Sequence, residues 1–397
     1  MSQRRSEFLA LMAAATAAGA IAIDTMLPAF SQVREHFELL SDPAAAALIV
    51  TVFITGLGVG QFFYGPLSDR YGRKPIMRLG LMIYIVAGFA STFAPSFGML
   101  LLGRFVWGLG SAGSRTTAHA IMRDRFSGDA LARGMAVVVT IFLIVPTLAP
   151  LIGQAVLGLG SWRWTFAIGP LFAILVYIWT FRLEETLKAE HKRSVAPREI
   201  ARSVLAVLRT PSALASIIAL TATTGAFLPY LGSSERIFDL IYDRGDEFAA
   251  WFALNAALMG GFTMASGWVV KRIGAHKTRK LWLMSLLAAS VIFLAISLAT
   301  GGVPGFFVFY TLTAVVLALE TAATPLLTSR ALDEVGHVAG TAASLVGAIS
   351  LIGGAQLARF VDRAIDDTIT PFAVGFTIAA LIAVAINEWG SRAQTQS

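Results

Sequence analysis

The chain has no cysteine, only five histidines among 397 residues, and just 14% charged residues. Without cysteine there is no disulfide, thiolate metal site or sulfur nucleophile. The histidines (His36, His119, His191, His276 and His337) are scattered and form no HExxH or similar ligand spacing, which argues against zinc chemistry. No GxxxxGK[ST] phosphate loop occurs, so direct use of ATP is excluded and an ion gradient is left as the energy source for any uphill work. No cofactor is expected. Charge is scarce because 56% of the residues are hydrophobic, against roughly 45–50% in a soluble domain.

A spanning helix needs about 20 apolar residues, because every backbone N–H and C=O in hydrocarbon must be bonded within the segment. Twelve such stretches are present, at about 8–30, 44–66, 75–94, 97–119, 134–157, 164–183, 212–232, 248–270, 280–299, 304–328, 339–360 and 370–390. Almost nothing remains for a soluble domain. The first stretch follows Arg4 and Arg5 but ends in an acid and a proline instead of a small-residue cleavage site, so it reads as a retained helix. The pI of about 9.9 is mostly a topology signal, not a nucleic-acid footprint. With the N-terminus inside, twenty-three basic residues fall on the inner side and six on the outer, while Arg104 and Arg115 lie within a helix. That asymmetry predicts both termini on the cytoplasmic face.

The longest polar interruption, Leu183 to Pro211, follows six spans and precedes six more. The expected organisation is therefore a bundle over 1–183, a cytoplasmic connector over 184–211 and a second bundle over 212–397. Within the connector, Pro197 is placed to open a short helix with apolar and basic faces, suited either to the inner leaflet or to a solvated linker. Gly65, Arg70 and Gly72 recur as Gly267, Arg272 and Gly274 at a constant spacing of 202 residues, which points to duplication of a six-helix unit. Gly65 and Gly72 are expected to permit a tight turn of about eight residues, with Pro75 at the first position of the third helix.

The loop Gly65-Pro-Leu-Ser-Asp69-Arg70-Tyr-Gly72-Arg73-Lys74-Pro resembles the signature between helices two and three of the major facilitator superfamily. Arg104-Phe-Val-Trp-Gly108-Leu-Gly110 resembles that superfamily's helix-four motif. Pro146, Pro150, Gly153 and Gln154 resemble the motif of its drug/proton antiporters, with Gln154 where a second glycine is usual. The second-half loop departs too, with Lys271 in place of the acid. Ile23-Asp24-Thr-Met-Leu-Pro28, Arg123-Asp124-Arg125, Ser161-Trp162-Arg163-Trp164, Arg182-Leu-Glu-Glu-Thr186 and Gly336-His-Val-Ala-Gly340-Thr are similar to the bicyclomycin/chloramphenicol-resistance branch. The resemblance implies an all-α integral membrane protein with twelve helices in two pseudo-symmetric bundles and a midplane cavity. It also implies alternating access, proton-driven export of small amphipathic molecules or drugs, and residence in a bacterial inner membrane. The expected partners are a small-molecule substrate, protons and the lipid bilayer; nucleic acid is not among them, and a monomer fits twelve spans in one chain.

Two sets of residues stand out. Asp24 and Arg104 sit at matched depths, so an ion pair, or a protonated Asp24 with Arg104 bonded elsewhere, is expected to be the coupling site. Glu320 in the tenth span is a weaker coupling candidate, hydrogen-bonded to Thr321 or Thr324, in water, or at the inner mouth. Asp69, beside Arg70 and Arg73 and within reach of Arg123, Asp124 and Arg125, is expected to latch an inner gate. Among competing readings, a carrier of one native metabolite, inward or outward, shares all these features. A membrane enzyme lacks its cluster of His, Asp or Glu, and a channel suits an oligomer better than a duplicated single chain.

Overall fold

The computed structural model describes residues 5–187, 205, 207, 209–333 and 339–394. Most of the proposed connector helix at Pro197 and the first three residues of the Gly336–Thr341 motif lie outside the described residues. Twelve long helices occur among them: α1 (Arg5–Asp24), α2 (Leu48–Tyr71), α3 (Arg73–Thr92), α4 (Phe97–Arg125), α5 (Gly128–Leu157), α6 (Trp162–Trp179), α7 (Pro211–Arg236), α8 (Phe248–Ile273), α9 (Ala275–Ala299), α10 (Phe306–Asp333), α11 (Ala339–Ala364) and α12 (Thr370–Gln394). Eleven helical stretches are long and apolar enough to cross a membrane. The exception is α4, long enough at 29 residues but interrupted by Arg104 and Arg115. Its polar residues are tolerable because they face protein, with Arg104, Ser111, Ser114 and Thr117 all buried.

The chain divides into two compact units, Met1–Leu40 with Val52–Ile200, and Ser41–Thr51 with Ala201–Ser397. The expected division placed 41–51 in the first bundle. Instead Pro43–Ala47 is a 3₁₀ turn packed on α7 and α11, and Gly232 is the residue on α7 that admits Ala47. Inside the first unit α1 packs on α4, α5 and α6, and α3 on α4 and α6. Inside the second, α7 packs on α10, α11 and α12, and α9 on α10 and α12. Every one of those pairings recurs with both partners six helices further along, as a duplicated unit requires.

The turns differ from expectation in length. Helix α2 runs through Gly65 to Tyr71 and α3 begins at Arg73, so Gly72 alone turns the chain and Pro75 lies at the third helical position. Gly274 does the same between α8 and α9. Their backbone angles, φ 107°, ψ 151° and φ 83°, ψ 157°, fall in a region essentially reserved for glycine. Gly65 and Gly267 are ordinary helical residues, because one reversed residue is enough to join two long helices.

Candidate functional site

Helix α1 ends at Asp24, and the chain continues through a 3₁₀ turn (Leu27–Ala29) into a short helix, Phe30–His36. Proline at position 28 suits the start of that turn, where its missing N–H is no loss. The Asp24 side chain is buried, 3% exposed. Helix α5 closes on this bend at Gly153, where an added Cβ would stand 2.0 Å from the Thr25 carbonyl oxygen. The approach rests on Gly153 alone, so Gln154 leaves it intact. The Thr25 hydroxyl donates to the Ile21 carbonyl at 2.7 Å, closing the end of α1.

Arg104 is fully buried on α4, and its Nη1 donates to the carbonyl of Ala22 at 2.9 Å. The guanidinium also lies over the Phe53 ring at 4.3 Å and the Trp107 ring at 4.8 Å. Gly108 brings α2 and α4 close enough for this, since a Cβ there would lie 2.0 Å from the Phe53 carbonyl oxygen. Of the two arrangements expected, an Asp24–Arg104 ion pair or Arg104 bonded elsewhere, the bond to Ala22 belongs to the second. The Arg104 guanidinium thus meets a carbonyl and two aromatic faces that favour a cation, and among the described residues Asp24 has no ion-pair partner. Sequence placed the two at matched depth but could not tell a carboxylate from a helix-end carbonyl two residues earlier.

Glu320 faces protein, on a buried stripe of α10 with Thr313, Val316, Leu317, Ala323 and Leu327. Its Oε2 has no hydrogen-bond partner among the described residues. The two expected partners are engaged elsewhere: Thr321 donates to the Leu317 carbonyl at 2.9 Å and Thr324 to the backbone carbonyl of Glu320 at 3.0 Å. Threonine in a helix commonly satisfies itself this way, so adjacency in sequence did not make them carboxyl donors. The position lies in the middle of the helix Phe306–Asp333.

At the Gly72 turn, Arg73 is the hub. Its Nε donates to Asp124 at 2.9 Å on α4, and its Nη1 to Ser68 at 2.7 Å and to Asp69. Asp124 also accepts from Thr186 at 3.1 Å. Arg70 and Arg123 are exposed and stand outside this network, Arg70 lying over the Tyr71 ring at 5.1 Å, while Arg125 lies over Phe8 at 4.4 Å. Glu185, just past α6, belongs to the Arg182–Thr186 motif but has no role assigned from sequence. Its Oε1 accepts from the backbone N–H of Arg73 at 2.9 Å and its Oε2 from that of Lys74 at 3.1 Å, capping α3 from over a hundred residues away. Glycine at 72 is doubly required, because a Cβ would lie 2.7 Å from Glu185 Oε2. The available signal was an acidic pair, Glu184-Glu185, within an otherwise basic run of turns.

Two clusters in the second unit were also missed. Asp362 on α11 is buried and accepts from Ser233 Oγ at 2.6 Å, while Arg236 donates to the Asp362 carbonyl at 2.8 Å. Asn387 on α12 accepts through Oδ1 from Arg279 at 2.8 Å and from Arg330 at 2.7 Å. Asp362 lies between Arg359 and Arg363 at the end of α11 and Asn387 beside Glu388, without a repeated motif to flag either. Among the described residues no group of three or more His, Asp or Glu is placed to hold a metal ion.

The family described as the Major Facilitator Superfamily matches residues 6–356. The chain belongs to the major facilitator superfamily. This superfamily member is a multi-pass membrane transporter and not an enzyme. It is 26% identical to a bicyclomycin resistance protein homolog of Haemophilus influenzae, over 97% of this chain and 96% of the relative. It is also 26% identical to the multidrug resistance protein MdtL of Escherichia coli, over 80% of this chain and 78% of that one. Among solved structures, a D-xylose-proton symporter superimposes with TM-score 0.76 at 12% identity, covering 95% of this chain and 97% of that one. The human organic anion transporter MFSD10 gives 0.72 at 18%, covering 97% and 99%. The fold is that of the superfamily: all-helical, in two related halves.

Proposed function

We propose that this transporter exports small amphipathic organic molecules, drugs among them, in exchange for protons by alternating access. The observation that carries the reading is Asp24, a buried carboxyl without an ion-pair partner among the described residues, set where α1 ends and α5 closes on the bend that follows. A carboxyl so placed costs least when neutral, and taking up or releasing a proton changes its charge at the point where helices meet. Arg104, which donates to the Ala22 carbonyl, places a buried cation beside the end of α1. Glu320 offers a second protonatable group, in the other unit. Relatives named for bicyclomycin and multidrug resistance support organic drugs as cargo.

In this reading the protein is a monomer of a bacterial inner membrane with both termini cytoplasmic, and residues 184–211 link its two bundles on that face. The basic bias supports the orientation. The Asp69–Arg73–Asp124 network then lies at the inner ends of α2, α3 and α4 and acts as the inner-gate latch, with Glu185 fixing the turn. Carriage of one native metabolite differs only in the cargo. A strain lacking its own pumps, expressing this chain, should extrude dyes and tolerate several unrelated drugs, and an uncoupler should abolish extrusion. Extrusion that survives collapse of the proton gradient, or protection limited to one compound, would overturn proton coupling or breadth respectively.

A further inference from the structure

Beside the Gly72 turn a groove of about 450 Å³ opens between the start of α3 and the chain just past α6, lined by Tyr71, Gly72, Lys74, Pro75, Arg78 and Glu185 among others. Two cations border it. The Lys74 Nζ touches the Phe181 carbonyl at 3.5 Å. Arg78 donates to Thr180 through Nε at 3.0 Å and Nη2 at 3.2 Å, with its guanidinium 4.1 Å above the Phe181 ring. These partners are all neutral, and each cation keeps further N–H donors for a ligand. The one acid in the lining, Glu185, is committed to the backbone N–H groups of Arg73, Lys74 and Leu187. From the groove, exposed apolar rows extend along both helices, Leu79, Met82 and Val86 on α3 and Ile178, Leu175 and Leu171 on α6.

We propose that this groove binds the phosphodiester headgroup of an anionic phospholipid, with its acyl chains along the exposed rows of α3 and α6. Charge complementarity selects an anion, and apolar rows leading from the headgroup position select a lipid over a soluble ion. The second unit sharpens the assignment. At the 202-residue spacing, His276 stands for Lys74 and Lys280 for Arg78, and Lys280 is paired with Glu388 at 3.0 Å, so these two positions do not repeat the cation pair. The site depends only on the chain spanning a bilayer, not on transport direction or proton coupling, so failure here leaves the proposed function untouched.

Native mass spectrometry of the full chain in detergent, titrated with phosphatidylglycerol or phosphatidylcholine of the same acyl chains, tests this. At about 1 kcal/mol per cation, phosphatidylglycerol should be retained over phosphatidylcholine by roughly tenfold or more. Lys74→Gln/Arg78→Gln should bring the two lipids to near parity, and Lys280→Gln should leave the preference unchanged. Should the double variant fail to fold, Lys74→Gln alone, which gives up only the long contact to Phe181, should reduce the preference by roughly threefold to fivefold. Parity in the unaltered chain, or a preference that either variant preserves, would overturn the proposal. Displacement of the lipid by excess inorganic phosphate would reassign the groove to a soluble anion and overturn it equally.

Discussion

The turns at Gly72 and Gly274 have the same backbone and different chemistry. Each is one glycine with positive φ between two long helices. Around Gly72, three carboxylates converge: Asp69 and Asp124 on the Arg73 side chain, and Glu185 on the backbone. Around Gly274, Lys271 replaces the acid, nothing lies within 4 Å of the position a Cβ would take, and the nearby α9 start is tied to α10 and α12 through the amide of Asn387. Duplication preserved the geometry that reverses the chain, while the charges diverged. The turn's shape and its electrostatic network are therefore separable: at the first turn two carboxylates meet the Arg73 guanidinium, and at the second an amide takes that place.

Substitutions should expose that separation. The largest effect is expected for Gly72→Ala, which adds displacement of the Glu185 cap to backbone strain and should lower stability by about 2–4 kcal/mol. Gly274→Ala suffers the strain alone, about 1–3 kcal/mol. Thermal unfolding in detergent compares them, and equal losses would remove Glu185 from the account. Next is Asn387→Ala, which takes away the acceptor shared by Arg279 and Arg330 and should cost about 1–3 kcal/mol in the same assay. Asp124→Asn weakens one charge-assisted bond at a partly exposed site, so about 1 kcal/mol is expected. Its signature is functional: slower turnover, with ligand affinity retained. Loss of ligand binding with unchanged accessibility at the inner gate would argue against a latch. The smallest effect belongs to Lys280→Gln, which breaks a solvent-exposed pair with Glu388 and should change stability by about 0–0.5 kcal/mol.

Much of the architecture was legible in the sequence because hydrocarbon imposes length and apolarity on every span. Duplication was visible in Gly65, Arg70 and Gly72 and their counterparts, and the structure repeats it in helix pairings. Turn length was not legible. Gly65 looked like part of the bend, but helical backbone accepts glycine where packing supports it, and only Gly72 needed its freedom. The site was partly legible. Scarce charges inside apolar helices pointed to Asp24, Arg104 and Glu320, all of them buried. Their partners were hidden, because Arg104 binds a backbone carbonyl that every residue possesses, and Thr324 binds the backbone of Glu320 instead of its carboxyl. The roles of Glu185 and Asp362 were not legible because their contacts span 112 and 129 residues.

Proton coupling through Asp24 is tested most directly in proteoliposomes carrying Asp24→Asn. The substitution keeps the side chain's size and removes the titration. An imposed pH gradient should no longer drive uphill transport, while counterflow exchange of a neutral substrate persists because the cycle itself is intact. If the Asp24→Asn protein accumulates substrate against its gradient with unaltered pH dependence, Asp24 is not the obligatory proton carrier and the coupling account fails.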